Sequence, residues 1–241
     1  PYAETLPFSY DASEMPDLAR TIERHYPDPQ HQVDAWVRAV CAAAGTANTL
    51  DLLIAITHAI RAQFRYEARD EEGIRTPTDT LRHASGSCRD FALFMMEAVR
   101  SLGLAARFVS GYLYDDVLPE AAQSDARADT ETDAEPAMAG PRADAPVVGG
   151  GATHAWVQVY LPGAGWLPFD PTNGIVGGAH LIRIATARDP SQAAPLTGSY
   201  AGPAEAYLGI EVDVRVSVEP ELPPEAAPDL QQARARPPRP Q

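Results

Sequence analysis

With 241 residues, 45% of them hydrophobic, the chain can fold as one large domain or two small ones around a buried core. A net charge of −14 argues against nucleic acid as a partner, because phosphate recognition needs a cationic face. No apolar run approaches the about 18 residues of a membrane-spanning helix, so no membrane association is expected. Cys41 and Cys88 lie in separate apolar helical contexts with no C-x-x-C spacing. That pattern disfavours a disulfide framework or a structural zinc site and points to a reducing, cytoplasmic compartment. The start, Pro1-Tyr2-Ala3-Glu4, has neither an initiator Met nor a signal pattern, so the sequence reads as a piece of something longer.

In chain order, residues 1–11 look extended, and amphipathic helices are expected over 15–25, 33–44 and 49–64. Pro27, Pro29, Gly45 and Asn48 punctuate them. Residues 65–85 form a polar loop with a helical turn at 79–83. Ser85-Gly86-Ser87-Cys88-Arg89-Asp90 then runs straight into a helix, with Ser87 as cap and Asp90 closing a variant capping box. That helix is apolar on more than one face, with Phe91, Met95, Ala98 and Leu102 on one stripe and Ala92, Met96 and Val99 on the next. It should be buried. After Gly103 the period changes: 105–114 is a β-branched and aromatic strand in which Gly111 marks a bulge.

Residues 115–150 carry nine carboxylates against two arginines, a net of −7. Too poor in large apolar groups to repay ordering, they are expected to be a disordered acidic insertion. Residues 153–160 alternate strictly and form a strand; a Pro162-Gly163-Ala164-Gly165 turn leads into a second strand at 166–170, ending in Pro171-Thr172-Asn173-Gly174. Strands are also expected at 180–187 and 209–218, followed by a disordered Pro/Arg-rich tail over 221–241. Helices first, then strands without crossover helices, make this an α+β fold: N-terminal helices and a central Cys-bearing helix packed on an antiparallel β-sheet, in one domain over 1–220.

The chemistry converges on Cys88. A thiol in the first turn of a helix faces unpaired N–H groups and the positive end of the dipole, which favours thiolate. A nucleophilic thiol also needs a base and a group to orient that base. His154 shares a strand face with Trp156, Gln158 and Tyr160, and Asp170 reaches that face only in one hairpin register. A four-residue connection pairing Leu161 with Trp166 puts Asp170 opposite Val157, on the wrong side. A five-residue connection, or a bulge at Gly163 or Gly165, puts it opposite Trp156, diagonal to His154 and within about 7 Å. The two glycines favour this second register, with Asp170 bonded to one ring nitrogen of His154 and the other nitrogen facing Cys88. Asp90 reads as a helix cap rather than a catalytic acid. Trp156, Tyr112 and Tyr160 are candidate substrate-binding residues.

Gly-Ser-Cys-Arg-Asp-Phe-Ala at 86–92, Thr-His-Ala-Trp-Val-Gln-Val-Tyr at 153–160 and Gly-Trp-Leu-Pro-Phe-Asp-Pro-Thr-Asn at 165–173 together resemble the bacterial transglutaminase-like superfamily. This papain-like group includes transglutaminases and cysteine peptidases. The resemblance implies Cys88 as nucleophile, His154 as general base and acid, Asp170 as orienting carboxylate, and an oxyanion hole using the Cys88 backbone N–H. It implies no cofactor or metal, and a peptide or protein substrate. The expected activity is that of a cysteine peptidase or amidohydrolase working through a thioester. The alternatives are a transglutaminase-type acyltransferase, a non-catalytic binding module on the same fold and, more remotely, a zinc site built from Cys88, His154 and Asp170. All 19 basic residues are arginine, so the chain cannot crosslink to itself through lysine.

Overall fold

The computed structural model of the protein describes residues 3–68, 73–114, 153–194 and 201–203. The acidic 115–150 segment, the strand expected at 209–218 and the 221–241 tail lie outside the described residues. Three helices open the fold: α1 (Met15–Ile22), α2 (Gln32–Ala44) and α3 (Thr49–Gln63). The starts of α2 and α3 are set by short polar side chains, whereas α1 begins after Glu14 with Pro16 in its first turn and no side-chain cap. Asn48 accepts from the Asp51 N–H at the head of α3. The Asp28 carboxylate accepts from the N–H groups of Gln32 and Val33, both at 2.9 Å, and so caps α2 from four and five residues upstream.

Helix α1 stops at Ile22, short of the expected His25. Beyond it, the N–H groups of His25 and Tyr26 turn to the buried Glu97 carboxylate at 3.4 Å. Arg100 holds the end of α1 through a 2.9 Å bond to the Thr21 carbonyl. The polar 65–85 loop is more ordered than its composition suggests. β1 (Arg65–Tyr66) pairs in parallel with β2 (Ser85–Gly86), and between them lies α4 (Pro77–His83), capped by Thr76.

Helix α5 (Cys88–Ser101) is buried at every position except Arg89 and Ser101. The reciprocal Ser87–Asp90 capping box fixes its start. Against it lies a five-stranded sheet in the order β6-β5-β4-β3-β7. Its strands are β3 (Ala106–Leu113), β4 (Thr153–Leu161), β5 (Gly165–Asp170), β6 (Ile175–Val176) and β7 (Leu181–Ala187). All neighbours are antiparallel, so the α+β class holds.

One sheet face sends Ala106, Phe108, Ala155, Val157 and Val159 into the same apolar cluster as Phe91, Phe94 and Met95 of α5. At the far end of the sheet, Tyr160 and Trp166 pack under Tyr10 and Leu18. Burial on both sides makes β4 an interior strand. A full aromatic side chain buried this way contributes on the order of 1.5–3 kcal/mol, and Phe94 sits 4.8 Å from Trp36 and 5.0 Å from Phe64, ring centre to ring centre.

The bulge expected at Gly111 lies on the other strand. The β3–β7 register slips between Ser110 and Gly111 because β7 carries the extra residue, Ile184. Gly111 allows the close approach instead: a Cβ there would stand 2.0 Å from the Ile182 carbonyl oxygen and 2.7 Å from the Trp156 ring. A short 3-10 helix, Pro190–Ala193, follows β7 where a plain loop was expected.

Candidate active site

Cys88 is the first residue of α5 and is only 9% exposed. Its place is fixed from behind. Asp90, fully buried, accepts from the Ser87 N–H at 2.9 Å, from the Ser87 hydroxyl at 3.1 Å and from the Arg75 N–H at 2.7 Å. The carboxylate is consumed in capping and in tying down the preceding loop. Gly86 is demanded here, since a Cβ would meet the Asp90 Cβ at 2.8 Å. The sulfur therefore opens from a rigid helix start into a cavity of about 380 Å³.

His154 lines the same cavity. The β4–β5 hairpin adopts the register that puts Asp170 on the His154 face: Tyr160 pairs with Trp166 and Val157 with Phe169. An added Leu161–Gly165 pair tightens the connection to residues 162–164, with φ 84° at Gly163 and 78° at Gly165. The next step along β5 sets Asp170 beside Trp156, diagonal to His154. The two side chains are fully buried and bonded, His154 Nε2 to Asp170 Oδ2, at 2.8 Å. Asp170 is itself clamped. Its Oδ1 accepts from the N–H groups of Thr172 at 2.9 Å and Asn173 at 3.3 Å, and its Oδ2 from the Asn173 side-chain amide at 2.9 Å. Four N–H donors thus hold a buried negative charge.

This clamp decides the imidazole's electrostatics. Burial pushes the His154 pKa down, but the Asp170 hydrogen bond and the Cys88 thiol outweigh it and raise it to about 9. Because the carboxylate is an acceptor, Nε2 carries the proton. Nδ1 is buried and has no hydrogen-bond partner among the described residues. The thiol is close enough to act on the ring, but the two form no hydrogen bond of standard geometry.

Of the other residues singled out in the sequence, none of Trp156, Tyr112 and Tyr160 lines this cavity. Trp156, 1% exposed, lies stacked 6.1 Å from the His154 ring and forms the wall behind it. Tyr160 belongs to the far end of β4, where its hydroxyl donates to Glu14 at 2.7 Å and its ring packs 5.4 Å from Trp166.

The cavity wall comes instead from Tyr26, Tyr66, Ser110, Thr153 and Ser191. Tyr26 donates to Asp189 at 3.0 Å, and burial together with that carboxylate pushes its pKa up to about 12. Burial, then the neighbouring Cys88, raises that of Tyr66. These tyrosines sit in segments that read as loops, and only an aromatic residue amid polar neighbours hinted at Tyr66. The anchoring role of Asn173 had a local signal in the Asp-Pro-Thr-Asn turn. Among the described residues, no group of three or more His, Cys, Asp or Glu is arranged to hold a metal ion.

The family model of the transglutaminase-like superfamily matches residues 34–171, which includes Cys88, His154 and Asp170. The chain belongs to this superfamily. An uncharacterised protein of Mycobacterium leprae is 32% identical over 139 residues, covering 56% of this chain and 39% of the relative. A second, from Mycobacterium tuberculosis, is 27% identical over 170 residues, covering 68% and 47%. This transglutaminase-like chain therefore spans less than half the length of either relative. Among solved structures, a candidate cysteine protease of Cytophaga hutchinsonii superposes with a TM-score of 0.50 at 25% identity, over 80% of this chain and 53% of that one.

Proposed function

We propose that this chain is a thiol-dependent hydrolase that cleaves a peptide or carboxamide bond through a Cys88 thioester. One observation carries the reading: Asp170 holds His154 by Nε2, while the buried Nδ1 has no hydrogen-bond partner among the described residues and the ring lines the same cavity as Cys88. In this mechanism Nδ1 takes the thiol proton and the thiolate attacks the carbonyl carbon. The backbone N–H of Cys88, at the first helical position and without an intrahelical acceptor, donates to the developing oxyanion. The imidazolium then gives its proton from Nδ1 to the leaving amine. The imidazole, now neutral, takes a proton from water at Nδ1 as the water oxygen bonds to the thioester carbon; the C–S bond then breaks, the acid leaves, and the imidazolium returns its proton to the Cys88 sulfur.

Hydrolysis is favoured over transfer to an amine because no acyl-acceptor site is recognisable among the described residues around the cavity, and the likeness to the Cytophaga protein supports the same choice. The expected partner is a peptide or protein. A reducing cytoplasm fits the two free thiols, Cys41 and Cys88; among the described residues no helix is long and apolar enough to cross a membrane.

The test is a peptide-amide library incubated with the wild type and with Cys88→Ala, read by mass spectrometry with and without added methylamine. Hydrolysed products that vanish in Cys88→Ala are expected. Turnover that survives the substitution overturns the reading, and products mostly carrying methylamine reassign the protein as an acyltransferase.

A further inference from the structure

Arg89 follows the nucleophile directly, and of the helix positions from Cys88 to Arg100 it alone is exposed. It also lines the cavity. A cation in the first turn of a helix opposes the dipole, so local stability does not explain its presence. Nor does an ion pair, since Arg89 has no carboxylate partner among the described residues. The nearby carboxylates are engaged elsewhere. Glu67 bonds Ser85 and Arg65, Asp79 bonds Thr76 and Arg82, Asp90 bonds Ser87 and Arg75, and Asp189 bonds Tyr26 and Ser191. The guanidinium charge reaches into the site, where it opposes the rise that Cys88 causes at Tyr66. None of the described cavity-lining residues is Asp or Glu, although the whole chain carries −14. The polar groups facing this space are Arg89, the His154 ring and hydroxyls such as Ser110 and Thr153.

We propose that Arg89 is a specificity-determining residue that selects substrates bearing a carboxylate close to the carbonyl attacked by Cys88. The assignment rests on the thiol-enzyme reading above. A bound carboxylate would supply a counterion that Arg89 does not have among the described residues, at the mouth of a cavity whose buried walls screen such a pair less than bulk water does. The carboxylate is that of an acidic side chain or of a chain terminus, and the two are separable by experiment.

Two reagents of nearly equal size probe the charge preference directly: iodoacetate, an anion, and neutral iodoacetamide. Each forms a bond from sulfur to carbon and expels iodide. The quantity to measure is the ratio of their rates at Cys88 divided by the same ratio at Cys41, by peptide mass. Dividing by the iodoacetamide rate removes any change in the thiol's own reactivity. The normalised ratio is expected above one in the wild type. In Arg89→Gln it should fall by about threefold or more at low salt, and Arg89→Lys should restore most of it.

Protection by N-acetylglutamate α-amide, but not by N-acetylalanine or N-acetylalaninamide, assigns the side-chain carboxylate; protection by N-acetylalanine alone assigns the terminus. A ratio indifferent to Arg89→Gln overturns the proposal, as does protection by neither acid. Failure of the underlying reading looks different: Cys88 would then be no faster than Cys41 with iodoacetamide itself.

Discussion

At the residue scale, the His154–Asp170 bond links charge, stability and chemistry. A histidine whose folded pKa is raised to about 9 stabilises the fold fully below its unfolded value of about 6.5, and that contribution is lost as pH rises through about 9. In Asp170→Asn, the side-chain oxygen can still accept from the Thr172 and Asn173 N–H groups, but the carboxylate charge beside the imidazole is gone. The wild type is therefore expected to lose thermal stability between about pH 6.5 and pH 9, and Asp170→Asn to lose much less over the same window. Parallel melting curves for the two proteins across that range would contradict the assignment. The same substitution should slow iodoacetamide at Cys88 by about tenfold or more near pH 7, one tenfold for each unit by which the imidazole pKa drops.

At the element scale, what was readable depended on how far apart the interacting residues lie. Ser87, Cys88 and Asp90 form a cap within one turn, so composition sufficed to place the thiol at a helix start. The hairpin register followed from Gly163 and Gly165, whose positive φ angles are cheap only for glycine. Tyr26 gave no such signal, because its partner Asp189 is 163 residues away, and Glu97 gave none of its hold on the His25 N–H, 72 residues away. The buried Glu97–Arg100 pair, with Arg100 also donating to the carbonyls of Ala106 and Arg188 at 2.9 and 2.8 Å, ties α5 to the sheet.

Gly111 was half legible. Its place in β3 signalled an irregularity, but the sequence of one strand does not say which strand bears the extra residue. Gly111→Ala should drive a methyl group into the Ile182 carbonyl and the Trp156 ring behind His154. We expect a loss of about 1–3 kcal/mol in urea unfolding, accompanied by slower Cys88 alkylation. A neutral effect on both would mean that β7 does not lie as close as the structure places it.

At the scale of the whole molecule, the fold brings a helix start and two neighbouring strands to one cavity, and a thiol, an imidazole and a carboxylate come together from positions 88, 154 and 170. Among the described residues that line the cavity none is Asp or Glu, in a chain of net charge −14, and Cys88 stands at the start of the most deeply buried of the described helices. In the proposed mechanism His154 activates Cys88. The pH dependence of iodoacetamide alkylation at Cys88 and Cys41, followed separately by peptide mass in the folded protein, tests it most directly. Burial pushes the Cys41 thiol up, so Cys41 should react only at high pH. Cys88 should react rapidly at about pH 6, where an ordinary thiol is protonated, and His154→Ala should abolish that early reactivity. A Cys88 that follows the pH curve of Cys41, or one that is indifferent to His154→Ala, would show that His154 does not activate it.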